Sequence, residues 1–255
     1  MAAPVNTLKQ KLAAGQLQTG CWLGLVDPYA AEIAGTAGFD WLLIDGEHGP
    51  NGITQISNQI GALQNSDSEV IVRVPVGEDW IIKQVLDAGA QTVMVPMVET
   101  GDQAQAMVRA MRYAPEGVRG VGAALGRASG WMGIADYTTT ANGQMCLIVQ
   151  VEAQRALDNL DDILAVEGVD AVFIGPADLA ADMGYLGNPD APEVQAAMED
   201  AVKRIRASGK AAGIMCVDPE FARKAIGWGA NFAAVAVDAL TLATGLRKTA
   251  AAYKD

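Results

Sequence analysis

The sequence predicts an α/β fold: a single (β/α)8 barrel, or TIM barrel, that occupies residues 1–255 as one domain. The chain has 255 residues, a length at which α/β barrels occur undivided. Eight short apolar segments are typical of strands, and helix-like stretches separate them. No Pro/Ser-rich linker divides the chain. An open doubly wound sheet is the alternative, but no GxGxxG motif follows the first predicted strand to support it.

A sequence pattern that recurs four times predicts every second strand. A helical stretch is followed by a glycine and about five apolar residues, in AGFDWLLID, AGAQTVMVP, EGVDAVFIG and WGANFAAVAVD. The glycines (Gly38, Gly89, Gly168 and Gly229) stand where a helix would end in the left-handed region. The apolar run indicates a strand covered on both faces. With TGCWLGL, EVIVRV, MCLIVQVE and KAAGIMCV, the eight strands are predicted to begin near Thr19, Trp41, Glu69, Gln91, Met145, Asp170, Lys210 and Asn231.

The connection between strands 4 and 5, residues 112–144, is unusually long. Loops of this length are usually functional or disordered. Its glycines (Gly117, Gly120, Gly122 and Gly126) give it freedom to lie over a site or against a neighbouring subunit. We therefore expect it to contribute to a functional site or to a contact between subunits.

The net charge and the cysteines indicate which binding partners and which cellular compartment to expect. The formal charge is −12 and no Lys/Arg cluster appears, which argues against nucleic acid and anionic membranes as partners. No apolar run reaches the length of a membrane span, and no signal peptide is recognisable at the N-terminus. The three cysteines (Cys21, Cys146 and Cys216) are widely spaced in apolar segments. This pattern predicts reduced thiols in a cytoplasmic protein.

The predicted C-terminal ends of the strands, where barrel enzymes hold their chemistry, carry several charged residues. Glu152 and Asp178 follow neighbouring strands 5 and 6, close to Gln150. Two carboxylates without cysteine or histidine favour a hard cation such as Mg²⁺ or Mn²⁺. The alternative is that these acids cap the helices that follow, above all Asp178 in PADLA.

Arg73 and His48 are the other candidates. Arg73 closes strand 3, where an arginine can hold a carboxylate or stabilise an enolate oxygen; the alternative is a structural ion pair with Asp45 or Glu47. His48, the single histidine of the chain, follows strand 2 in LLIDGEHGP. It is a candidate general base, which Asp45 or Asp87 could orient, and the alternative is an exposed residue at a strand end.

Two absences in the sequence exclude reaction classes. None of the lysines closes a predicted strand, so Schiff-base chemistry lacks its nucleophile. The loops after strands 7 and 8, CVDPE and VDALTLATG, have no glycine pair to cradle a phosphate. A phosphorylated substrate is therefore not expected.

Six motifs together resemble the HpcH/HpaI aldolases: DWLLIDGEHGP, RVP, GAQTVMVPMVET, YAPEGVRG, VQVE and FIGPADLA. The resemblance covers roughly residues 8–246. It implies a barrel of the phosphoenolpyruvate/pyruvate superfamily and a divalent-metal-dependent aldolase (a lyase) that forms or cleaves a 4-hydroxy-2-oxo acid. The products of cleavage would be an aldehyde and pyruvate or hydroxypyruvate. The cofactor would be Mg²⁺, Mn²⁺ or Co²⁺, and the assembly a homo-oligomer, a trimer-based hexamer.

The resemblance also implies roles for individual residues. Glu152 and Asp178 would be the metal ligands, and Arg73 would stabilise the enolate. His48 would be the base, with its basicity raised by Asp87. Gln150 and the backbone around Ala177 would hold the 2-oxo acid. On our interpretation the aldehyde is the acceptor, and it adds from the side lined by Trp22, Val217 and the long connection. We call this the acceptor side.

Two other functions stay open at this point. A CoA-ester lyase of the citramalyl or malyl type would keep the fold and metal, but the scarcity of Lys and Arg argues against a CoA site. A non-catalytic metabolite-binding barrel would have no need of a base beside a metal.

Overall fold

The structure, a computed structural model that describes residues 1–254, confirms the predicted barrel. Eight parallel strands form a closed sheet in chain order, with β8 pairing back to β1. Every strand begins within one residue of its predicted start. The strands are β1 (Gln18–Leu23), β2 (Trp41–Asp45), β3 (Glu69–Arg73), β4 (Thr92–Val95), β5 (Cys146–Val151), β6 (Val169–Ile174), β7 (Ala211–Met215) and β8 (Phe232–Val237).

α-Helices follow the strands and cover the outside of the sheet. They are α1 (Thr7–Ala13), α2 (Pro28–Gly35), α3 (Ile53–Ala62), α4 (Asp79–Ala88), α5 (Gly101–Met111), α6 (Tyr137–Thr140), α7 (Gln154–Asp158), α8 (Leu160–Ala165), α9 (Pro176–Asp182), α10 (Pro192–Ala207), α11 (Pro219–Trp228) and α12 (Asp238–Ala251). Short 3₁₀ turns at Arg127–Ser129 and Ala141–Gln144 lie in the long connection. Across residues 1–254, no helix is both long and apolar enough to cross a membrane.

Aromatic side chains fill the inside of the barrel. Trp41 and Phe232 lie with their ring centroids 4.5 Å apart, and Phe173 lies 5.8 Å from Phe232. Gly20 makes room for this packing, because a Cβ at that position would fall 2.0 Å from the Trp41 ring. Leu8 of α1 belongs to the same interior cluster and closes the N-terminal end. The opposite end, at the C-termini of the strands, is left for a site.

The four recurring glycines adopt the predicted left-handed backbone conformation, but only two of them stand at the C-cap of a helix. Gly89 and Gly229 are the left-handed C-caps of α4 and α11, with φ of +117° and +116°. Gly38 and Gly168 also have positive φ, yet α2 and α8 have already ended at C-cap residues Thr36 and Val166. The cap prediction was wrong for these two glycines, because a short turn separates helix end from glycine.

The long connection lies against α4 and the N-terminal segment. The Ala3 N–H donates to Thr140 Oγ1 at 2.8 Å, and the Asn6 N–H donates to Gln144 Oε1 at 2.9 Å. Arg119 joins the connection to α4 by an ion pair with Asp87. These contacts hold the connection along the side of the barrel.

Candidate active site

A cavity of about 440 Å³ opens at the C-terminal end of the barrel. It lies where the strand ends of a barrel converge, the usual position of the active site in this fold. Seven residues singled out from the sequence line it: Trp22, His48, Arg73, Gln150, Ala177, Asp178 and Val217. They come from six different strands or the segments just after them, so closure of the sheet is what brings them together.

Arg73 at the end of β3 is buried and held by two carboxylates. Its Nε donates to Asp45 Oδ1 at 2.8 Å and its Nη2 to Asp45 Oδ2 at 2.7 Å, a two-pronged geometry that fixes the guanidinium plane. Its Nη1 lies 2.6 Å from Glu47 Oε2. Burial raises the pKa of Asp45, but the hydrogen bonds and charge of Arg73 outweigh it and hold the pKa below its ordinary value. The ion pair weighed as an alternative role is therefore present, and Arg73 lines the cavity as well.

Arg73 also contacts side chains of two other strands, Trp22 of β1 and Gln150 of β5. Its guanidinium carbon lies 5.0 Å from the ring centre of Trp22, within the range of a cation–π contact. Its Nη1 is 3.4 Å from Gln150 Oε1. Arg73 thus links β1, β2, β3 and β5 at one point of the cavity.

His48 is exposed and lines the cavity, so the structure combines the two alternatives weighed for it. Asp45 uses both its oxygens on Arg73. Asp87 lies on α4, where Arg119 Nη2 donates to its Oδ1 at 2.7 Å. It borders a different depression, together with Leu125. Within one chain, pairing of His48 with either acid stays a prediction.

Glu152 follows β5 with only 4% of its surface exposed. Its Oε1 accepts the Met97 N–H at 2.9 Å, and its Oε2 accepts Gln150 Nε2 at 3.0 Å. The helix-cap alternative is not seen, since the N-cap of α7 is Ala153 and has no side-chain cap bond. Burial raises the pKa of Glu152 to about 7; the Met97 hydrogen bond opposes this, and the negative charges of Asp178 and Glu47 add to it.

Asp178 stands in the first turn of α9 with its side chain exposed. The N-cap of that helix is Gly175, and no side chain makes the cap bond. The carboxylates of Asp178 and Glu47 act electrostatically to raise the pKa of Glu152, and the charge of Arg73 acts to lower it. Glu152 therefore lies among like charges as well as near a cation.

A family model described as HpcH/HpaI aldolase/citrate lyase matches residues 18–244. The chain belongs to this family. The match covers all eight strands and every predicted site residue. The motif resemblance seen in the sequence is thereby confirmed.

Relatives of this HpcH/HpaI family member match over nearly their whole length. A hydroxypyruvate/pyruvate aldolase of Roseobacter denitrificans is 57% identical over 255 residues, covering 100% of this chain and 99% of the relative. A 2-keto-3-deoxy-L-rhamnonate aldolase of Escherichia coli O17:K52:H18 is 50% identical over 249 residues, covering 98% and 93%. The crystal structure of a family protein from Burkholderia cenocepacia J2315 superimposes with a TM-score of 0.95 at 39% identity, covering 98% of this chain and 100% of that one.

These matches show that the chain is an enzyme, a lyase with aldolase activity. The non-catalytic binding barrel is therefore set aside. Members of the HpcH/HpaI family generally depend on a divalent metal ion.

The donor groups of this aldolase fit such an ion. Among residues 1–254 no group of three or more His, Cys, Asp and Glu side chains is arranged to hold a metal by itself. Asp178 nevertheless offers oxygen donors in the lining of the cavity, and it acts electrostatically on the carboxylate of Glu152. A hard cation that keeps water or substrate in its other positions suits a set of two carboxylates.

Several residues that line the cavity were not predicted from the sequence. They lie inside strands, on neighbouring helices or in a turn, where no local pattern distinguishes them from packing residues; they include Phe173, Met215, Pro189, Gln195 and Phe221. Only the three-dimensional arrangement reveals them. Glu47, predicted only as a possible ion-pair partner of Arg73, borders a separate cavity.

The long connection was expected at the acceptor side, and within one chain this expectation is wrong. The lining of the cavity comes from the strand ends and from the segments at residues 173–178, 189–195 and 215–221. The contacts of the connection with the N-terminal segment and with Asp87 hold it at the side of the barrel instead.

Gly175→Ala is expected to fold but to bind a divalent metal at least ten times more weakly. A Cβ at Gly175 would fall 2.4 Å from Glu152 Oε2, so the carboxylate must move away. Displacing a ligand or its support costs tenfold to a hundredfold in affinity. Calorimetric titration with Mn²⁺ measures the effect. The control is Gly227→Ala on α11, where a Cβ meets nothing within 4 Å; equal affinities in the two variants would contradict the prediction.

Proposed function

We propose that this aldolase catalyses the reversible aldol addition of pyruvate or hydroxypyruvate to an aldehyde, giving a 4-hydroxy-2-oxo acid. The single barrel domain of residues 1–255 would be the catalytic unit. The observation that carries the proposal is that Arg73, Gln150 and His48 line one cavity, with Gln150 joining Arg73 to Glu152. The names of the relatives at 50–57% identity support the choice of 2-oxo acid.

Glu152 and Asp178 would hold the divalent ion, which could be Mg²⁺, Mn²⁺ or Co²⁺, since oxygen donors discriminate poorly among these ions. When bound, the ion would supply Lewis-acid stabilisation for the negative charge that develops on the keto oxygen. Gln150 donates to Glu152 and contacts Arg73, so it would hold both the ligand and the 2-oxo acid in place. The backbone at Ala177 would bind the carboxylate of that acid.

Arg73 would stabilise the enolate oxygen, because its guanidinium is already oriented by Asp45 and needs no rearrangement. His48 would remove the proton next to the carbonyl and return it after the carbon–carbon bond forms or breaks. Trp22 and Val217 would line the acceptor side.

Asp87 of the partner subunit would raise the basicity of His48 in a homo-oligomer, which we propose to be a trimer-based hexamer. In this chain Arg119 binds Oδ1 of Asp87, which leaves Oδ2 for a second donor. Exposed leucines on α12 (Leu240, Leu242 and Leu246) support association. Three buried free thiols support a cytoplasmic location.

Deuterium exchange into pyruvate tests the proposal. We expect the protein, stripped with chelator and then given Mn²⁺, to exchange the methyl protons of pyruvate in D₂O, and His48→Ala to slow this exchange by roughly 10²–10⁴-fold. Mn²⁺ titration should show that His48→Ala still binds the metal. NMR follows the methyl signal.

Absence of exchange in the metal-loaded, folded protein would mean that pyruvate is not the donor. Assays with hydroxypyruvate and with malyl- and citramalyl-CoA would then separate the remaining functions. Among residues 1–254, Arg73 is the cation that lines the cavity, and it is engaged by Asp45 and Glu47. We therefore expect no turnover of CoA esters.

A further inference from the structure

The connection after β4 contains a bulge that faces the active site. Val95, the last residue of β4, pairs with Val149 of β5. The Val98 N–H then donates to the Gln150 carbonyl at 3.1 Å. Two residues of this side, Pro96 and Met97, therefore stand against a single residue of β5, Gln150. Such bulges recur next to active sites, where they turn a group out of the sheet ladder.

The group that this bulge turns toward the site is the N–H of Met97. Met97 has a φ of +53°, a left-handed conformation that is uncommon for residues other than glycine. Strained backbone of this kind persists only where its surroundings favour it. The Met97 N–H donates to Glu152 Oε1 at 2.9 Å, whereas its side chain is 51% exposed and borders a separate cavity of about 310 Å³. The strain thus accompanies a backbone contact to Glu152.

Two groups fix the orientation of Glu152. Met97 holds Oε1, and Gln150 Nε2 holds Oε2 at 3.0 Å. The carboxylate also lies close to the backbone of Gly175, where an added Cβ would fall 2.4 Å from Oε2. A carboxylate fixed in this way presents its remaining lone pairs in one direction.

We infer that Met97 is a positioning residue: its left-handed backbone holds an N–H on Glu152 and so preorganises this carboxylate for the divalent ion. The inference rests on the proposed function, in which Glu152 is a metal ligand. If the backbone relaxes to negative φ, the N–H turns away and Glu152 loses one of its two fixing contacts. Ion binding must then reorder the carboxylate, and affinity falls.

Met97→Gly and Met97→Val separate the backbone from the side chain. Glycine adopts positive φ freely, so Met97→Gly should bind Mn²⁺ within about threefold of the natural chain. A β-branched residue resists this conformation, so Met97→Val should bind Mn²⁺ roughly tenfold more weakly. Calorimetric titration with Mn²⁺ alone gives both affinities, and thermal unfolding of the metal-free proteins verifies the fold. If Met97→Val does not fold, Met97→Ala replaces it, with an expected affinity between the other two.

If the Met97 side chain acted only by packing, the order of the Mn²⁺ affinities would be reversed, because valine keeps more apolar contact than glycine. Equal affinities, or weaker binding by Met97→Gly, would overturn the inference. Glu152→Ala, measured in parallel, distinguishes this failure from failure of the proposed function. Loss of Mn²⁺ binding in Glu152→Ala together with equal Met97 variants would overturn only the positioning role. Full Mn²⁺ affinity in Glu152→Ala would overturn the ligand assignment itself, and with it the inference.

Discussion

Glu152→Gln is expected to abolish divalent-metal binding and to lower kcat/KM by at least about 10³-fold, because a Lewis acid contributes several kcal/mol to the stabilisation of developing charge. The substitution keeps the size of the side chain but removes the Oε2 acceptor of Gln150 Nε2. The amide has the shape of the carboxylate, and its oxygen can still accept the Met97 N–H that now reaches Oε1. Calorimetric titration with Mn²⁺ and steady-state kinetics with pyruvate and an aldehyde measure the two effects.

The same variant is expected to be more stable than the natural chain when both are metal-free and alkaline. The pKa of Glu152 is raised from 4.5 to about 7 in the folded chain, mainly by burial. A raised folded-state pKa stabilises the protein below the unfolded value, and this stability is lost as the pH rises through about 7. Glutamine has no such titration. The stability of Glu152→Gln relative to the natural chain should therefore grow by up to about 3 kcal/mol between pH 5 and pH 8, and denaturant unfolding in chelator measures it.

The control for both measurements is Glu99→Gln. Glu99 forms an ion pair with Arg155 at 3.2 Å near the surface, and surface pairs contribute little to stability. We expect it to bind metal normally and to change the free energy of unfolding by no more than about 1 kcal/mol. Metal binding at full strength in Glu152→Gln would contradict the ligand assignment. A relative stability independent of pH would contradict the raised pKa.

The fold was predictable because its local signals agree. Each strand is a short apolar run, and β2, β4, β6 and β8 each follow a glycine in the left-handed region, so periodicity and turn chemistry indicate the same boundaries. The helix ends were less predictable. Gly38 and Gly168 lie beyond short turns, and a turn of two or three residues leaves no distinct mark in the sequence.

The candidate site was predictable in its strand-end residues, and less so elsewhere. Arg73 and Glu152 stand out because a charge that closes an apolar strand is costly unless it is paired or binds an ion. Met97 carries no such signal: its role depends on a backbone torsion that methionine rarely adopts. The proposed pairing of Asp87 with His48 has no support within one chain, because Asp87 lies beside Arg119 in a different depression.

The two carboxylates around Arg73 couple the stability of the chain to the proposed role of Arg73 in the chemistry. Asp45 and Glu47 lie within 2.7 Å and 2.6 Å of its nitrogens, and side-chain exposure at Arg73 is only 8%. Removing a buried cation of this kind leaves its partner charges uncompensated, at about 3–5 kcal/mol. Arg73→Ala would therefore confound folding with catalysis, and a variant that keeps the charge is the better test.

Arg73→Lys is expected to lower kcat by roughly 10²–10³-fold with a smaller change in KM. Lysine retains the positive charge but cannot form the two parallel bonds to Asp45 and still reach the substrate. Losing one preorganised donor at a developing oxyanion costs about this factor, and an interaction made mainly in the transition state lowers kcat more than it raises KM. Steady-state kinetics and pyruvate deuterium exchange, both well below the unfolding temperature, measure the loss.

The matched control is Arg204→Lys on α10, where Arg204 binds Asp161 at 2.8 Å away from the cavity. It should exchange pyruvate protons at the natural rate. If Arg73 only neutralises Asp45 and Glu47, Arg73→Lys will lose stability while its folded fraction keeps kcat and exchange rate. That outcome would reject Arg73 as the group that stabilises the enolate. If kcat and the exchange rate of Arg73→Lys fall together while the metal stays bound, Arg73 acts on proton removal itself. The reason is that exchange requires formation of the enolate but needs no aldehyde.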